Sequence, residues 1–318
     1  MTTTHRLGDI PMRDPFIVEP SPGSYVLYGT TDANIWRGPA TGFDCYTSDD
    51  LETWHGPVAA FRPRAGFWST SQFWAPEVHR HGGRWYLIAT FLHAITGVRG
   101  VGILAADAPT GPFEPWSDGP VTPRDTPSLD GTLHVDDAGL PWLVYSRGAE
   151  TNGACDDDAA DGAMHAMRLT QDLRGPADAP QVLFHASDAA WTRPVRFAAD
   201  GPSAAELGLA EDPLLTDGPF VVRTDGILTM LWSSFGDDGY SLGQATSSGG
   251  ILGPWEQSTA LVWSRDGGHG MLLRTSAGAD YLVIHSPNDT PQERPILVPV
   301  ELGGGAVRPA DGGGDGAA

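Results

Sequence analysis

The sequence predicts an all-β protein built as a five-bladed β-propeller, and three observations carry that expectation. Its 318 residues include 41 Gly and 27 Pro, which suits many short strands joined by turns better than long helices. Five segments share one apolar pattern rich in β-branched and aromatic residues. Counted from Tyr25 through Trp85, Trp142 and Thr229 to Tyr281, they recur at intervals of 60, 57, 87 and 52 residues. A period of about 50–60 residues, with one long insertion, corresponds to blades of about four strands.

Taken in order, Ser24-Tyr25-Val26-Leu27-Tyr28-Gly29 belongs to a first blade at 12–60. Arg84-Trp85-Tyr86-Leu87-Ile88-Ala89 follows the turn His81-Gly82-Gly83 in a second blade at 72–120. Pro141-Trp142-Leu143-Val144-Tyr145-Ser146, after Asp137-Ala138-Gly139, falls in a third at 126–190. Leu228–Ser233 and Asp280–His285 place the fourth and fifth at 210–262 and 267–302. Each run entered through a Gly-containing turn reads as the second strand of a hairpin. Gly111-Pro112-Phe113 and Gly253-Pro254-Trp255 read as outer turns carrying an aromatic side chain. The stretch 148–163, with Asp156, Asp157 and Asp158, reads as an exposed loop, and a short helix is expected around 204–209. One propeller domain therefore spans 1–302, and the Gly/Ala/Asp-rich tail 303–318 is expected to be disordered.

A formal net charge of −21 argues against nucleic acid and anionic membrane surfaces, which need basic patches. Two cysteines, Cys45 and Cys155, show neither disulfide-framework nor zinc spacing. The N-terminal MTTTHRLGDIPMRD has no apolar stretch before a cleavage site, so a cytoplasmic protein is expected.

Three acidic residues stand at strand starts: Asp14 in Arg13-Asp14-Pro15, Asp130 in Leu129-Asp130-Gly131 and Asp217 in Asp217-Gly218-Pro219. In a propeller the innermost strands line a central channel, so the starts of blades one, three and four converge on one mouth. Pro15 is expected to hold Asp14 in an extended conformation. Carboxylates brought together repel, and their pKa values separate, which suits acid–base chemistry.

Together with Trp74-Ala75-Pro76-Glu77 and Gly267-Gly268-His269-Gly270, these motifs occur in the order seen in glycoside hydrolase family 43, and the chain resembles that family from about residue 9 to 302. The resemblance implies an inverting hydrolase of the arabinofuranosidase, xylosidase or galactanase kind, acting on a small oligosaccharide without an organic cofactor. It implies Asp14 as general base, Asp130 as the group that tunes and orients the acid, and Asp217 as general acid. The family usually has Glu at that last position. Asp is shorter by about 1.5 Å of reach, and catalysis tolerates little displacement. Either Asp217 serves, or Glu206 or Glu211 supplies the proton, or the propeller only binds sugar. A retaining fructosidase also carries Arg-Asp-Pro, but its other motifs are missing from this sequence.

Phe73, Trp74, Glu77 and Arg294 are the candidate substrate-binding residues, with Trp36 and Phe91 as further stacking candidates. Each has a plainer reading: aromatics as blade-to-blade core, Glu77 as an ion-pair partner and Arg294 as a surface residue. By the resemblance, His269 stands near the channel centre and the site of a structural Ca2+ or Na+. One imidazole is a poor calcium site by itself, and a hydrogen-bonded structural histidine is the competing reading.

Overall fold

The computed structural model describes residues 3–32, 35–36, 38–151, 157–196 and 203–310. Its strands form five antiparallel sheets, whose innermost strands are Arg13–Ser21, Ser69–His81, Ser128–Val135, Asp217–Thr224 and Gly268–Arg274. Each innermost strand lies against that of the next sheet, and the last meets the first, which closes the ring of a five-bladed propeller. Within each blade the chain runs outward by hairpins. In blade two, Gly82 and Gly83 both take positive φ, 54° and 86°, the backbone that a two-residue hairpin turn requires.

The core is divided into five inter-blade layers, because each sheet buries both faces against its neighbours. Between blades one and two, Phe43, Phe61, Phe73 and Phe91 pack with Leu87 and Leu104. Blades two and three meet through Ile88, Val101 and Leu143, and blades three and four through Phe184, Trp191 and Trp232. Leu231, Leu242 and Ile284 fill the next layer. Ile17, Leu27, Trp54, Met271 and Val283 fill the last, between blades five and one. Closure of the ring is polar as well. The Ser276 N–H and hydroxyl donate to Glu19 at 2.7 and 2.6 Å, and the Met12 N–H donates to the Glu293 carbonyl at 3.2 Å.

Three expectations change at the edges. Blade one has five strands, since Thr3–Arg6 pairs outside Thr53–Phe61. The expectation of disorder from 303 onward fails at its start: Ala306–Pro309 pairs with Arg294–Gly303 as the fourth strand of blade five. Gly304 and Gly305 supply the positive-φ turn, and Val307, 1% exposed, anchors the strand in the core; residues 311–318 lie outside the described residues. The stretch 148–163 is only partly an exposed loop. Ala149 is buried, the Ala210 N–H donates to its carbonyl, and the Thr151 N–H donates to Gly208. This pairing makes a lip beside the channel mouth. Asp156 lies outside the described residues, and Asp157–Ala160 is a short 3-10 turn. The expected short helix appears as the 3-10 turn Ala205–Leu207.

Phe91 contacts Phe43, Phe61, Phe67, Phe73 and Trp68 with centroid separations of 4.9–6.4 Å. Replacing it by Ala is expected to cost about 3–5 kcal/mol, read as a lower denaturant midpoint at unchanged slope; a change below 1 kcal/mol would contradict this packing.

Candidate active site

Each innermost strand carries the same distortion. Pairing with the second strand skips between Arg13 and Phe16, Trp74 and Glu77, Leu129 and Thr132, Asp217 and Phe220, and Gly268 and Met271. In each gap sits a residue with positive φ: Asp14 at 51°, Ala75 at 46°, Asp130 at 54°, Gly218 at 48° and His269 at 50°. Such a bulge bends the strand and re-aims its side chains, and for a non-glycine residue it stores about 1–3 kcal/mol of strain. Asp14 is thus left-handed, not extended as its position before Pro15 led one to expect; the bulge overrides the local preference. Gly218 is forced to be glycine, because a Cβ there would come within 2.7 Å of the His269 ring.

All five bulges are pinned from the preceding blade, four of them by a hydroxyl or an imidazole. The backbone N–H groups of Ala75, Asp130 and His269 donate to Thr30 Oγ1, Thr90 Oγ1 and Ser233 Oγ, each at 2.8 Å. That of Asp14 donates to His285 Nδ1 at 3.2 Å. The fifth, Gly218, donates instead to Asp130 Oδ2 at 3.3 Å.

The result is a cavity of about 290 Å³ whose floor carries Asp14, Asp130, Asp217 and His269. All three predicted aspartates are brought together. His269 Nδ1 lies 3.3 Å from Asp14 Oδ1 and 3.8 Å from Asp130 Oδ2. Asp130 accepts a bond from Thr90 at 3.3 Å, Asp14 one from Thr30 at 2.7 Å, and Asp217 one from the Tyr240 hydroxyl at 2.7 Å. Asp217 stands one residue before its bulge, whereas Asp14 and Asp130 are bulge residues, so it approaches the cavity from a different register.

The environments separate the protons. Burial opposes ionisation of Asp14, but His269, Arg13 and the Thr30 hydroxyl outweigh it and hold the carboxyl below its ordinary value. Burial pushes Asp217 well above the carboxylate range, and the charge and hydrogen bond of Asp130 push it further. Asp130 is raised as well, by burial and by the charge of Asp14, against its bonds to Asp217, Gly218 and Thr90. Asp130 and Asp217 therefore share a proton while Asp14 stays ionised. His285 is neutral on two grounds. Its Nδ1 accepts the Asp14 N–H, leaving the proton on Nε2 toward Asn288 Oδ1 at 3.3 Å. Burial also pushes its pKa down to about 3.

The expected substrate-binding set is only partly assembled. Trp74 lines the cavity, and Trp36, 52% exposed, joins it edge-to-face at 5.4 Å. Phe73 and Phe91 do not reach the cavity, since strand alternation turns both into the layer between blades one and two. Glu77 is buried away from the cavity and pairs with His79 at 2.9 Å. Arg294 bonds to the carbonyls of Pro291 and Glu293 at the surface instead of meeting the carboxylates. Arg13 takes that place: it lines the cavity, ion-pairs with Glu293 at 2.5 Å, and lies over Trp36 at 5.6 Å. Glu206 is exposed and bound to Ser203, and neither it nor Glu211 lines the cavity, so neither replaces Asp217.

Sequence reasoning missed Arg13, Arg99, Tyr240 and His285. Arg99 lies 4.5 Å over the Trp74 ring and pairs with Glu150 of the lip. Burial pushes its pKa down to about 10, against the pull of Asp130 and Asp217, so it remains cationic at neutral pH. One signal was available for His285. It closes its repeat segment as Ser146 and Ser233 close theirs, and Thr30 and Thr90 directly follow theirs.

Among the described residues, Asp130, Asp217 and His269 could share an ion, with ligand atoms within 4.8 Å of one another. One imidazole and two carboxyls supply only part of the six to eight oxygens that calcium takes.

A family model described as glycosyl hydrolases family 43 matches residues 9–303. Among solved structures, an endo-arabinase from Bacteroides thetaiotaomicron VPI-5482 superimposes with a TM-score of 0.81 at 35% identity, covering 94% of this chain and 98% of that one. A thermostable family-43 glycoside hydrolase superimposes at 0.74 with 20% identity, over 99% and 96% of the two chains. An endo-1,4-beta-xylanase from Bacteroides thetaiotaomicron VPI-5482 does so at 0.68 with 20% identity, over 98% and 97%. These last two share the fold. No curated protein sequence matches the chain.

Asp217 has a folded pKa above its unfolded one, so the stability linked to it is full below the unfolded value and is lost as pH rises toward the folded one. Asp217→Asn cannot ionise and keeps both hydrogen-bond partners. It is expected to stabilise the protein at pH 7 by about 0.5–2 kcal/mol, the usual range for a stabilising substitution, with no gain near pH 4. Calorimetric melting across that range checks this; a gain independent of pH would refute the assignment of the proton.

Proposed function

The chain belongs to glycosyl hydrolases family 43 and is a glycoside hydrolase with a carbohydrate substrate, and on that premise we propose that it releases terminal α-L-arabinofuranosyl residues with inversion. The observation that carries the reading is one cavity holding a carboxylate kept ionised, Asp14, and a carboxyl kept protonated, Asp217. Inverting cleavage needs this pair. Asp14 takes a proton from water as the water oxygen bonds to the anomeric carbon. The glycosidic C–O bond breaks, and Asp217 gives its proton to the departing oxygen. The products are a free sugar of opposite anomeric configuration and a shortened alcohol; the proton on Asp14 then returns to solvent, and Asp217 is reprotonated.

Asp130 keeps Asp217 protonated before the step and accepts its hydrogen bond. The shorter Asp side chain is compatible with acid work, because the Tyr240 hydroxyl and Asp130 both bond to its carboxyl and hold it in place. Trp36 and Trp74 supply ring faces and edges at the mouth for a sugar ring. A volume of about 290 Å³ lies at the lower end of ligand pockets, about 300–1,000 Å³, which favours a terminal residue over a bound polymer.

Internal cleavage of arabinan is the second reading. It is favoured by the 35% identity to the endo-arabinase and by an adjoining hollow of about 510 Å³. That hollow shares Arg13, Thr30 and Ile35 with the cavity and is lined further by Asp32, Tyr46 and Thr290. On linear arabinan, arabinose as the first product supports terminal release, and mixed oligomers support internal cleavage.

Asp14→Asn is expected to lose about 10²–10⁴-fold in kcat on every substrate. Asp217→Asn is expected to lose as much on arabinobiose but far less on nitrophenyl arabinofuranoside, whose leaving group departs without a proton. Proton NMR of the first-formed sugar, over a panel of arabinofuranosides, xylosides and galactofuranosides, reads specificity and stereochemistry together. Retention of configuration, or unchanged turnover in Asp14→Asn, would overturn the mechanism.

A further inference from the structure

Tyr240 and His285 are both buried, at 2% and 0% exposure, and their rings stack with centroids 5.7 Å apart and planes inclined by 15°. Each ring touches one of the two working carboxyl residues. The Tyr240 hydroxyl donates to Asp217 Oδ2 at 2.7 Å, and His285 Nδ1 accepts the Asp14 N–H at 3.2 Å. The far sides of the pair are tied to one residue. Asp266 Oδ1 accepts the Tyr240 N–H at 3.3 Å and Asp266 Oδ2 the Asn288 N–H at 3.2 Å, while Asn288 Oδ1 accepts from His285 Nε2.

We infer that the Tyr240–His285 stack is the spacer that fixes the acid, Asp217, against the base, Asp14. Neither ring touches substrate; both are positioning residues. In inverting hydrolysis the gap between the two carboxyls decides whether a water fits behind the sugar. Here the base belongs to blade one and the acid to blade four, so no single sheet sets that gap. The stack joins them through blades four and five: Tyr240 lies on Gly239–Ser247, and His285 on Asp280–Ser286. Two flat rings in contact resist compression, and buried rings cannot drift toward solvent. The shorter Asp217 makes the restraint more important, because a carboxyl on one methylene has fewer ways to find the leaving oxygen.

The inference rests on the acid and base roles proposed above, and leaving-group dependence separates its two halves. Tyr240→Phe keeps the stack and removes one of the two hydrogen bonds that hold Asp217. It is expected to lower kcat by about 10- to 100-fold on arabinobiose and by less than about twofold on nitrophenyl arabinofuranoside, with KM within about twofold on both. His285→Phe removes the acceptor behind Asp14 and is expected to lose a similar factor on both substrates, since the attack on water is impaired whatever departs. His285→Gln restores an acceptor but removes the ring from the stack, so it should leave most of the loss in place, and full recovery would overturn the stack as spacer. The ratio of rates on the two substrates within one preparation does not depend on how much of a variant folds. A ratio unchanged in Tyr240→Phe, while Asp217→Asn changes it, would overturn the spacer and leave the acid assignment standing. A ratio unchanged in Asp217→Asn as well, or a parent inactive on both substrates, would remove the roles on which the spacer rests.

Discussion

The structure turns on one repeated constraint: a strand that must enter a crowded channel with its first residues in a strained, left-handed bulge. Five innermost strands converge at one end, and at each start the backbone takes positive φ. A lone strained residue of that kind would relax. Here a hydroxyl or imidazole from the preceding blade accepts the bulge N–H at four of the five positions, so the strain is held by neighbours around the ring. The same bond that stitches blade to blade also aims Asp14, Asp130 and His269 into a common space. Part of the fold's closure and the assembly of the site are therefore one set of contacts.

That geometry makes the site costly for the folded state and useful for chemistry. Three carboxyls in one cavity cannot all ionise. The structure resolves the conflict unevenly. Arg13 and His269 favour charge on Asp14, while Asp130 and Asp217 crowd each other and retain a proton. The asymmetry comes from which blade each residue leads. The polar surroundings of the carboxyls are supplied by buried groups that are themselves fully engaged, notably Tyr240 and His285. Besides Trp36 and Trp74, the apolar wall includes Ala149 of the lip and Leu209, Leu215 and Phe235.

Much of this was legible in the sequence. The repeat of strand-forming segments exposed five blades because β-branched and aromatic runs separated by Gly turns have one economical fold at that period. The three aspartates were legible because each heads an innermost strand. Phe73 was misplaced for a related reason. Side chains alternate across a strand, and a motif identifies a neighbourhood without saying which face a residue takes, so Phe73 points into the core while adjacent Trp74 reaches the cavity. Arg13 lines the cavity where Arg294 was expected, because only the path of the chain decides which guanidinium meets the carboxylates.

What the sequence by itself determined is therefore the class of fold, the phase of its blades and the residues at the blade entrances, since these depend on local pattern and period. Proton placement, the left-handed backbone at Asp14, the strand hidden in the C-terminal tail and the partnership of Tyr240 with His285 were decided only in three dimensions. Their physical reason is shared. Burial, ring stacking and charge coupling depend on distances between residues 16 to 271 positions apart in the chain, and no local pattern encodes such distances.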